Sequence, residues 1–510
     1  MKAKRLAAID IGTNSIRSII VEADAAGSFR LLDDEKATVR LGEGLLDSGR
    51  LSPAACERAY TVLLRQKKIF DGYHVDAVEA VATSAVRKAA NGMEFVAEIR
   101  KRCNIDVAII SGEEEAELAA LSAFNNFDME GGRHLLVDIG GGSLELVTTI
   151  GRHVEEIFSL DLGAVYLSET FLKTELPSQD ALKRLRKHIR KTLKAAFQEE
   201  RPAVSAIIGS GGTITSIAAM ILAERKEAFS SAHGYEVRRS DVVHLLAMLL
   251  RKNLKELRAV PGLNPDRADI IVAGVTVVDE LLEFSQTNLL KVNERGIREG
   301  LVLKGLRKHG MLRPEGSVPT WRESALGFAD SCRADKNHAL QVAKLAMEIF
   351  NSLARQFKLG DKDRRLLETA AILHDVGYFI NYASHHKHSY HLIRHADLFG
   401  FTPRERELIA QIARYHRKSP PKKKHEPYMK LSPEDRCRVA RLGGILRLAD
   451  GLDRSRVCKI QIVEPRLSPS CLTLRLQSDA DISVEIYGAT AKSDLLTEAF
   501  GIRLLLEPVN

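Results

Sequence analysis

The sequence predicts an α/β protein of two duplicated lobes, followed by an all-α domain and a small α+β domain. Three observations carry that prediction. Residues 7–22, Ala-Ala-Ile-Asp-Ile-Gly-Thr-Asn-Ser-Ile-Arg-Ser-Ile-Ile-Val-Glu, are echoed by residues 135–149, Leu-Leu-Val-Asp-Ile-Gly-Gly-Gly-Ser-Leu-Glu-Leu-Val-Thr-Thr. Strand-like and helix-like segments alternate from the first copy past the second, as in an α/β lobe with a central sheet. Beyond a linker-like stretch at 308–322, with Gly310, Pro314, Gly316 and Pro319, the pattern turns helical and His-rich.

Size and composition bound the answer. A chain of 510 residues is too long for one core, so two to four domains are expected. Its 45% apolar and 28% charged residues are those of a globular protein. No apolar run approaches a membrane span, and Asp10 cuts short the basic, signal-like start Met-Lys-Ala-Lys-Arg-Leu-Ala-Ala-Ile. Cytoplasmic location and no integral membrane association are therefore expected. The six cysteines (56, 103, 332, 437, 458 and 471) form no Cys-x-x-Cys pair and read as reduced thiols. A net charge of +8 suits a polyanionic ligand. Aromatics at 5% argue against base stacking, so nucleic acid is not the expected partner.

In chain order, each echoed segment is an apolar strand, an Asp, a small-residue turn and a second β-branched strand, which is a hairpin signal. Aligned without gaps, Asp10, Ile11, Gly12 and Ser15 match Asp138, Ile139, Gly140 and Ser143, and Arg17 matches Glu145. The turns offer backbone N–H groups and hydroxyls to phosphate. Asp138 and Glu145 are carboxylate candidates for a hard divalent cation. Between the copies the sequence predicts a strand at 29–33, a helix at 53–70, a strand at 75–82, a helix at 93–102 and a strand at 107–110. Thr83, Ser84 and Arg87, at a strand end and helix start, can bind an anion or simply cap the helix. Glu113, Glu114 and Glu115 open a helix, as acids favour a helix N-terminus; alternatively one of them points into the cleft as a general base.

After the second hairpin come helices around 176–200. Residues 206–215, Ala-Ile-Ile-Gly-Ser-Gly-Gly-Thr-Ile-Thr, then form a third strand, glycine turn and helix start, without the Lys-Ser/Thr of a Walker A loop. Arg267, Arg295 and Arg298 are further phosphate candidates, because guanidinium binds oxyanions bidentately. In the second half, half of the 16 histidines fall between 374 and 425. Helices are expected at 338–357, starting with His338, and at 363–376, ending in His374-Asp375; His385, His416 and Asp450 follow. A His, His-Asp and Asp set on helices can hold a divalent metal. The basic loop at 417–425, with Lys422, Lys423 and Lys424, is either solvated or a guide for a polyanion. Alternating apolar residues at 460–463, 472–476 and 484–486 predict strands, with a helix at 491–500 and a closing strand at 503–506.

Five of these stretches together resemble the exopolyphosphatase and guanosine pentaphosphate phosphatase (Ppx/GppA) family. They are Asp-Ile-Gly-Thr-Asn-Ser (10–15), Ala-Thr-Ser-Ala-x-Arg (82–87), Ser-Gly-x-Glu-Glu-Ala (111–116), Asp-Ile-Gly-Gly-Gly-Ser-x-Glu (138–145) and Gly-Ser-Gly-Gly-Thr (209–213). Arg-Ala-Asp (267–269) and Arg-Glu-Gly (298–300) are similar to later signatures of the family. The resemblance covers residues 1–310 and is greatest to exopolyphosphatase. It implies two actin-like, ribonuclease H-like lobes of the sugar kinase and Hsp70 type at 1–126 and 127–310. The long forms of the family add an HD-like helical domain, here 311–456, and a small α+β domain, here 457–510.

By the same resemblance, Glu115 is the base that activates water, with Glu114 as fallback. Asp138 and Glu145 hold Mg²⁺ or orient the water, and Asp10 is a further metal candidate. Asn14, Ser15, Arg17, Thr83, Ser84, Arg87, Gly140, Gly141, Gly142, Ser143, Ser210, Gly211, Gly212 and Thr213, with Arg267 and Arg298, bind phosphates. His338, His374, Asp375 and Asp450 match the metal set of HD phosphohydrolases and could hold a second metal. A homodimer is implied as well. The function expected first is Mg²⁺-dependent hydrolysis of terminal phosphoanhydride bonds of inorganic polyphosphate, releasing orthophosphate. The alternatives are conversion of guanosine pentaphosphate to the tetraphosphate, a non-catalytic sensor of alarmone or polyphosphate, and an actin-like ATPase or kinase.

Overall fold

Two strands, β1 (Lys4–Ile11) and β6 (Arg133–Ile139), sit at the hearts of two separate sheets. Both read as nearly continuous apolar runs because both of their faces are covered; residues 6–9 of β1 are fully buried. A computed structural model of the chain describes residues 4–23, 29–129, 132–173, 176–198, 200–227, 229, 231–311 and 320–509. The chain divides into two units, 1–318 and 319–510. Most of the predicted linker, including Pro314, Gly316 and Pro319, lies outside the described residues.

In the first unit, β2 (Ser15–Ala23), β3 (Phe29–Thr38), β4 (Ala77–Ala82) and β5 (Val107–Ile109) complete a sheet of order β3-β2-β1-β4-β5. The second sheet adds β7 (Leu144–Ile150), β8 (His153–Leu160), β9 (Ala206–Ser210), β10 (Glu236–Arg238) and β11 (Leu289–Val292), in the order β10-β11-β9-β6-β7-β8. The plan repeats. Each central strand pairs antiparallel with its hairpin partner, β2 or β7, which pairs antiparallel with β3 or β8. On its other side lie two parallel strands, β4 and β5 or β9 and β11. The duplication visible in two hairpins thus extends to five strands, and β10 is an added edge.

Two helices tie the sheets together. Helix Gly112–Asn126 leaves β5 but packs on β6, β7 and β8. Gly112 lies so close to the Ser159 side chain of β8 that a Cβ has no room there. Helix Ile297–Lys308 follows the second sheet yet returns to the first: Leu301, Val302 and Leu306 share an apolar cluster with Leu6, Ala8 and Leu118. Gly300 makes that approach possible, since a side chain there would strike the backbone of Leu118. The return places Arg298 beside Asp34 and Ser18 of the first sheet.

The second unit is helical, with helices Trp321–Ser331, Lys336–Phe357, Asp361–Leu373, His385–His395, Pro403–Arg414 and Pro433–Gly451. A sheet of β12 (Ile462–Leu467), β13 (Cys471–Gln477) and β14 (Arg503–Val509) follows. Leu472, Leu474 and Leu476 of β13 belong to the same apolar core as Val342, Leu367 and Leu446 of the helices. Among the described residues no helix is long and apolar enough to cross a membrane.

Several elements differ from expectation. Strand β3 runs to Thr38 rather than 33, because its whole length pairs with β2. The helix expected to start at His338 starts at Lys336, since the Asp335 side chain accepts from His338 N at 3.2 Å and caps it. The helix expected over 363–376 stops at Leu373, leaving His374 and Asp375 at its end. Val484 and Ile486 lie on helix Ser483–Ala491, not on a strand. Val484 is 48% exposed, so its apolar character reports no core face, and Asp481 starts the helical turn by accepting from Ser483 N at 2.9 Å.

Candidate active site in the cleft between the two sheets

The two hairpins close with the same turn: Gly12 N donates to Ser15 O at 3.1 Å, and Gly140 N to Ser143 O at 3.0 Å. Strand register then sets the residue opposite each Asp, pairing Asp10 with Arg17 and Asp138 with Glu145. The 140–143 turn is held from behind by helix Ala164–Phe171, whose Ala164 and Val165 N–H groups donate to the carbonyls of Gly140 and Gly141. A Cβ on Gly142 would stand 2.6 Å from Ser84 Oγ and 3.1 Å from Thr13 Oγ1, so three turns from two sheets meet there. At the third glycine turn, Gly211 has φ +94°, and a Cβ would lie 2.6 Å from Ile139 O and 2.7 Å from Asp138 Oδ1. Only glycine fits that backbone and that approach.

These turns line one polar cleft together with Asp10, Asn14, Arg17, Thr83, Glu115, Asp138, Gly212, Arg267 and Arg298. Sequence reasoning had singled out each of these. It missed Thr13, Thr215, Glu294 and Gly296, which also line the cleft. It missed Lys36 too, which β2–β3 register sets opposite Arg17.

The electrostatics are unusual. Burial, then the neighbouring Glu145, lifts the Glu115 carboxyl well above its ordinary value, against the pull of Arg87. Burial lifts Glu145 to about 8, and burial with the charge of Asp10 lifts Asp138 to about 6. Asp10 Oδ1 and Glu145 Oε2 are buried without a hydrogen-bond partner among the described residues, as are Ser84 Oγ and Ser143 Oγ. The cations are perturbed in the opposite sense. Burial, then Arg298, pushes Arg17 down. Burial and Arg17 bring Arg267 to about 10, and partial burial with Arg17 and Arg267 brings Lys36 to about 8. Buried carboxylates and crowded cations are therefore both charged at a cost, which a phosphate chain and a cation would relieve.

Other expected residues fall elsewhere. Glu114 is exposed and spent on the helix end: its Oε2 accepts from Ser111 N at 2.9 Å while Ser111 Oγ accepts from Glu114 N at 3.1 Å. This capping box turns it out of the cleft. Arg87 does not line the cleft. Its Nη1 donates to Ile110 O at 2.7 Å and to Glu115 Oε2 at 3.2 Å, so it orients Glu115 rather than facing phosphate. Glu145, 1% exposed, lies behind the lining, with Oε1 accepting from Ser159 Oγ at 3.1 Å. Ser210 and Thr213 are buried in the wall, Ser210 Oγ donating to Val137 O at 3.2 Å. Arg295 packs against Glu299, 3.3 Å away, and Asn126, outside the cleft.

In the second unit, His338, His374 and Asp450 converge as expected, but Asp375 stands between them and a second group, His385 and His416. The histidine-rich sequence hid those two among neighbours such as His388 and His395. Lys422, Lys423 and Lys424 are exposed.

A cleft of glycine turns, buried carboxylates and guanidinium groups between sheets of repeated topology defines a phosphate-handling α/β protein. Comparison with known proteins narrows the class. A model of the Ppx/GppA phosphatase family matches residues 19–309, and one of Ppx/GppA phosphatase domain III matches residues 322–493. The chain belongs to the Ppx/GppA phosphatase family. It is similar to a family member from Aquifex aeolicus (30% identity, 60% of this chain and 99% of that chain, TM-score 0.53). It is similar also to an exopolyphosphatase from Cytophaga hutchinsonii (28% identity, 60% of this chain and 98% of that chain, TM-score 0.57).

Proposed function

We propose that the cleft hydrolyses the terminal phosphoanhydride bond of inorganic polyphosphate and releases orthophosphate. The observation that carries this reading is the charge layout, with Arg17, Arg267 and Arg298 lining one cleft together with Asp10, Glu115 and Asp138, and Glu145 buried behind its wall. A polyanion neutralises the first group. The second fits a hard divalent cation, because Asp10 Oδ1 and Glu145 Oε2 are buried oxygens lacking partners among the described residues. Asp138 and Glu145, with Asp10, would hold Mg²⁺, which supplies charge neutralisation to the phosphate oxygens.

The chain's own groups do the rest. Backbone N–H groups of residues 141–143 and 211–212 cradle phosphate oxygens, and Arg267 and Arg298 clamp them. Glu115, its carboxyl raised well above its ordinary value by burial and held by Arg87, takes a proton from water as the water oxygen bonds the terminal phosphorus. The bridging P–O bond breaks, and its electrons leave on the shortened chain. No covalent nucleophile is required.

One observation favours a second substrate. A chamber of about 720 Å³ shares Thr13 and Asn14 with the cleft and is lined by Glu43, Asp47, Glu169 and Asp269, against Arg40 and Lys173. Asp269 pairs with Arg40 and Glu43 with Arg58, which leaves Asp47 and Glu169 as carboxylates that can accept from the N–H edge of guanine, a feature that suits guanosine pentaphosphate. The test is orthophosphate release with Mg²⁺ from long-chain polyphosphate and guanosine pentaphosphate side by side, with Glu115→Ala as control. Preference for the polymer, lost in the variant, supports the first reading; preference for the nucleotide supports the second. Activity that survives Glu115→Ala overturns the assignment of the base.

A further inference from the structure

We propose that the helical unit carries a two-metal centre. His338, His374 and Asp450 hold one divalent transition-metal ion, His385 and His416 hold the other, and Asp375 bridges them.

His374 Nδ1 lies 2.7 Å from Ala371 O, His416 Nδ1 2.7 Å from Ala413 O, and His385 Nδ1 3.1 Å from Tyr382 O. A carbonyl oxygen only accepts, so Nδ1 of His374 and of His416 carries the hydrogen and their Nε2 presents a lone pair; His385 Nδ1 also has Arg417 Nη1 at 3.3 Å, and its shorter contact with the Tyr382 carbonyl favours the same tautomer. His338 Nδ1 is fixed in the same way by the Asp453 carboxylate at 2.7 Å. All four Nε2 atoms turn inward, and they meet in pairs: His338 with His374 at 3.3 Å, and His385 with His416 at 3.2 Å. Two lone pairs at that separation repel unless a metal ion or a shared proton lies between them. Histidines whose outer nitrogen is anchored to an oxygen, leaving the inner one free, are how proteins set metal ligands.

The carboxylates complete each set. Asp450 Oδ1 lies 3.5 Å from His338 Nε2 and 3.8 Å from His374 Nε2. Asp375 splits its oxygens. Oδ2 is 3.5 Å from His374 Nε2 and 3.8 Å from His338 Nε2, while Oδ1 is 3.2 Å from His385 Nε2 and 3.5 Å from His416 Nε2. Donors about 2.0–2.1 Å from a tetrahedral ion stand about 3.3 Å apart, so these separations are the edges of coordination polyhedra. All six residues are at most 7% exposed.

A purely structural ion-pair cluster is the competing explanation, because Lys492 pairs with Asp450 and Arg456 with Asp375. Those two cations balance the carboxylates, and Arg417 Nη1 stands 3.4 Å from His385 Nε2, but among the described residues none of the three donates to Nε2 of His338 or His374. The donor set is mostly imidazole, which suits zinc, iron, nickel or cobalt rather than magnesium. The all-oxygen carboxylates of the cleft have the reverse preference.

The test uses the full-length protein, stripped with chelator, reloaded with Co²⁺ in excess Mg²⁺ and passed over a desalting column. Two Co²⁺ per chain are expected, falling to one in His374→Ala and to one in His416→Ala. Asp453→Asn, which leaves every ligand in place, is expected to weaken one ion about 10–100-fold. Retention of no Co²⁺ by the wild type, or of two by both His variants, overturns the proposal. Should a His variant fail to fold, the wild type loaded with Mn²⁺ decides. An exchange-coupled pair in its electron paramagnetic resonance spectrum supports the Asp375 bridge, and only isolated six-line signals overturn it.

Discussion

The cleft carboxylates make the first unit sensitive to pH and Mg²⁺ in a direction opposite to that of most acidic groups. Asp138 rises from 3.8 to about 6 and Glu145 from 4.5 to about 8, each chiefly through burial. A carboxyl whose folded pKa exceeds its unfolded value contributes stability that is complete below the unfolded value and lost as pH rises through the folded one. The window is therefore about pH 4–6 for Asp138 and about pH 4.5–8 for Glu145. At 1.36 kcal/mol per unit, Asp138 corresponds to about 3 kcal/mol and Glu145 to about 5 kcal/mol. The two interact, so the smaller figure is the safer expectation. In the unit of residues 1–318 it shifts the melting temperature by about 4–5 °C. The assay is thermal melting in chelator between about pH 5.5 and about pH 8.5, comparing wild type with Glu145→Gln. The wild type should melt progressively lower as pH rises, Mg²⁺ should recover the loss at the high end, and Glu145→Gln should flatten both effects. The comparison cancels titration elsewhere in the chain. An identical pH slope in the variant, or equal Mg²⁺ stabilisation at both ends, would refute the reasoning.

Four other perturbations separate roles in the cleft. Glu115→Gln should lower kcat about 10²–10⁴-fold, the range of a lost general base. Glu114→Ala should leave kcat within a few-fold and cost about 1 kcal/mol in urea unfolding, as lost capping does. Gly211→Ala should abolish phosphate release and lower stability by about 1–3 kcal/mol, because alanine is strained at φ +94° and its methyl would meet Asp138; ordinary activity would mean that the turn is free to open. Arg267→Met should raise KM for polyphosphate while leaving the melting temperature equal or higher, since a buried guanidinium with an unpartnered Nε is replaced by an apolar chain. A parallel fall in stability and affinity would instead make Arg267 a structural residue.

What the sequence disclosed was whatever is local or duplicated. The hairpin turns were legible because Asp-Ile-Gly-x-x-Ser occurs twice, and repetition of a turn across a chain is hard to explain except by repeated structure. Glu114 could have been set aside on sequence alone, since Ser111-x-x-Glu114 is a capping-box spacing. Other features depend on long-range register. Lys36 faces Arg17 only because β3 pairs with β2 along its whole length, and Arg298 reaches the cleft only because helix Ile297–Lys308 folds back on the first sheet. Arg87 was misplaced for a similar reason: its helix start was visible, but not that Ile110 O and Glu115 would claim its guanidinium. Val484 and Ile486 misled because two apolar residues two apart fit an exposed helix as well as a strand.

Glycine decides why this cleft brings together charges that would otherwise stay apart. Gly112 lets the helix bearing Glu115 settle against Ser159, whose hydroxyl holds Glu145. Gly300 lets the helix bearing Arg298 lie on the helix bearing Glu115. Gly211 closes over Asp138, and Gly212 leaves the space that the Arg267 guanidinium fills. Each contact brings an ionisable group into low-dielectric surroundings, and none supplies that group with a full set of partners. Packing around missing side chains thus offsets the cost of charges held ready for phosphate and a cation. It follows that an alanine at Gly112 or Gly300 should impair catalysis without touching substrate, by moving Glu115 or Arg298 rather than removing it. Because the Cβ at Gly112 would strike the very serine that orients Glu145, its effect should fall on kcat. The Cβ at Gly300 would displace Arg298, and its effect should fall on KM.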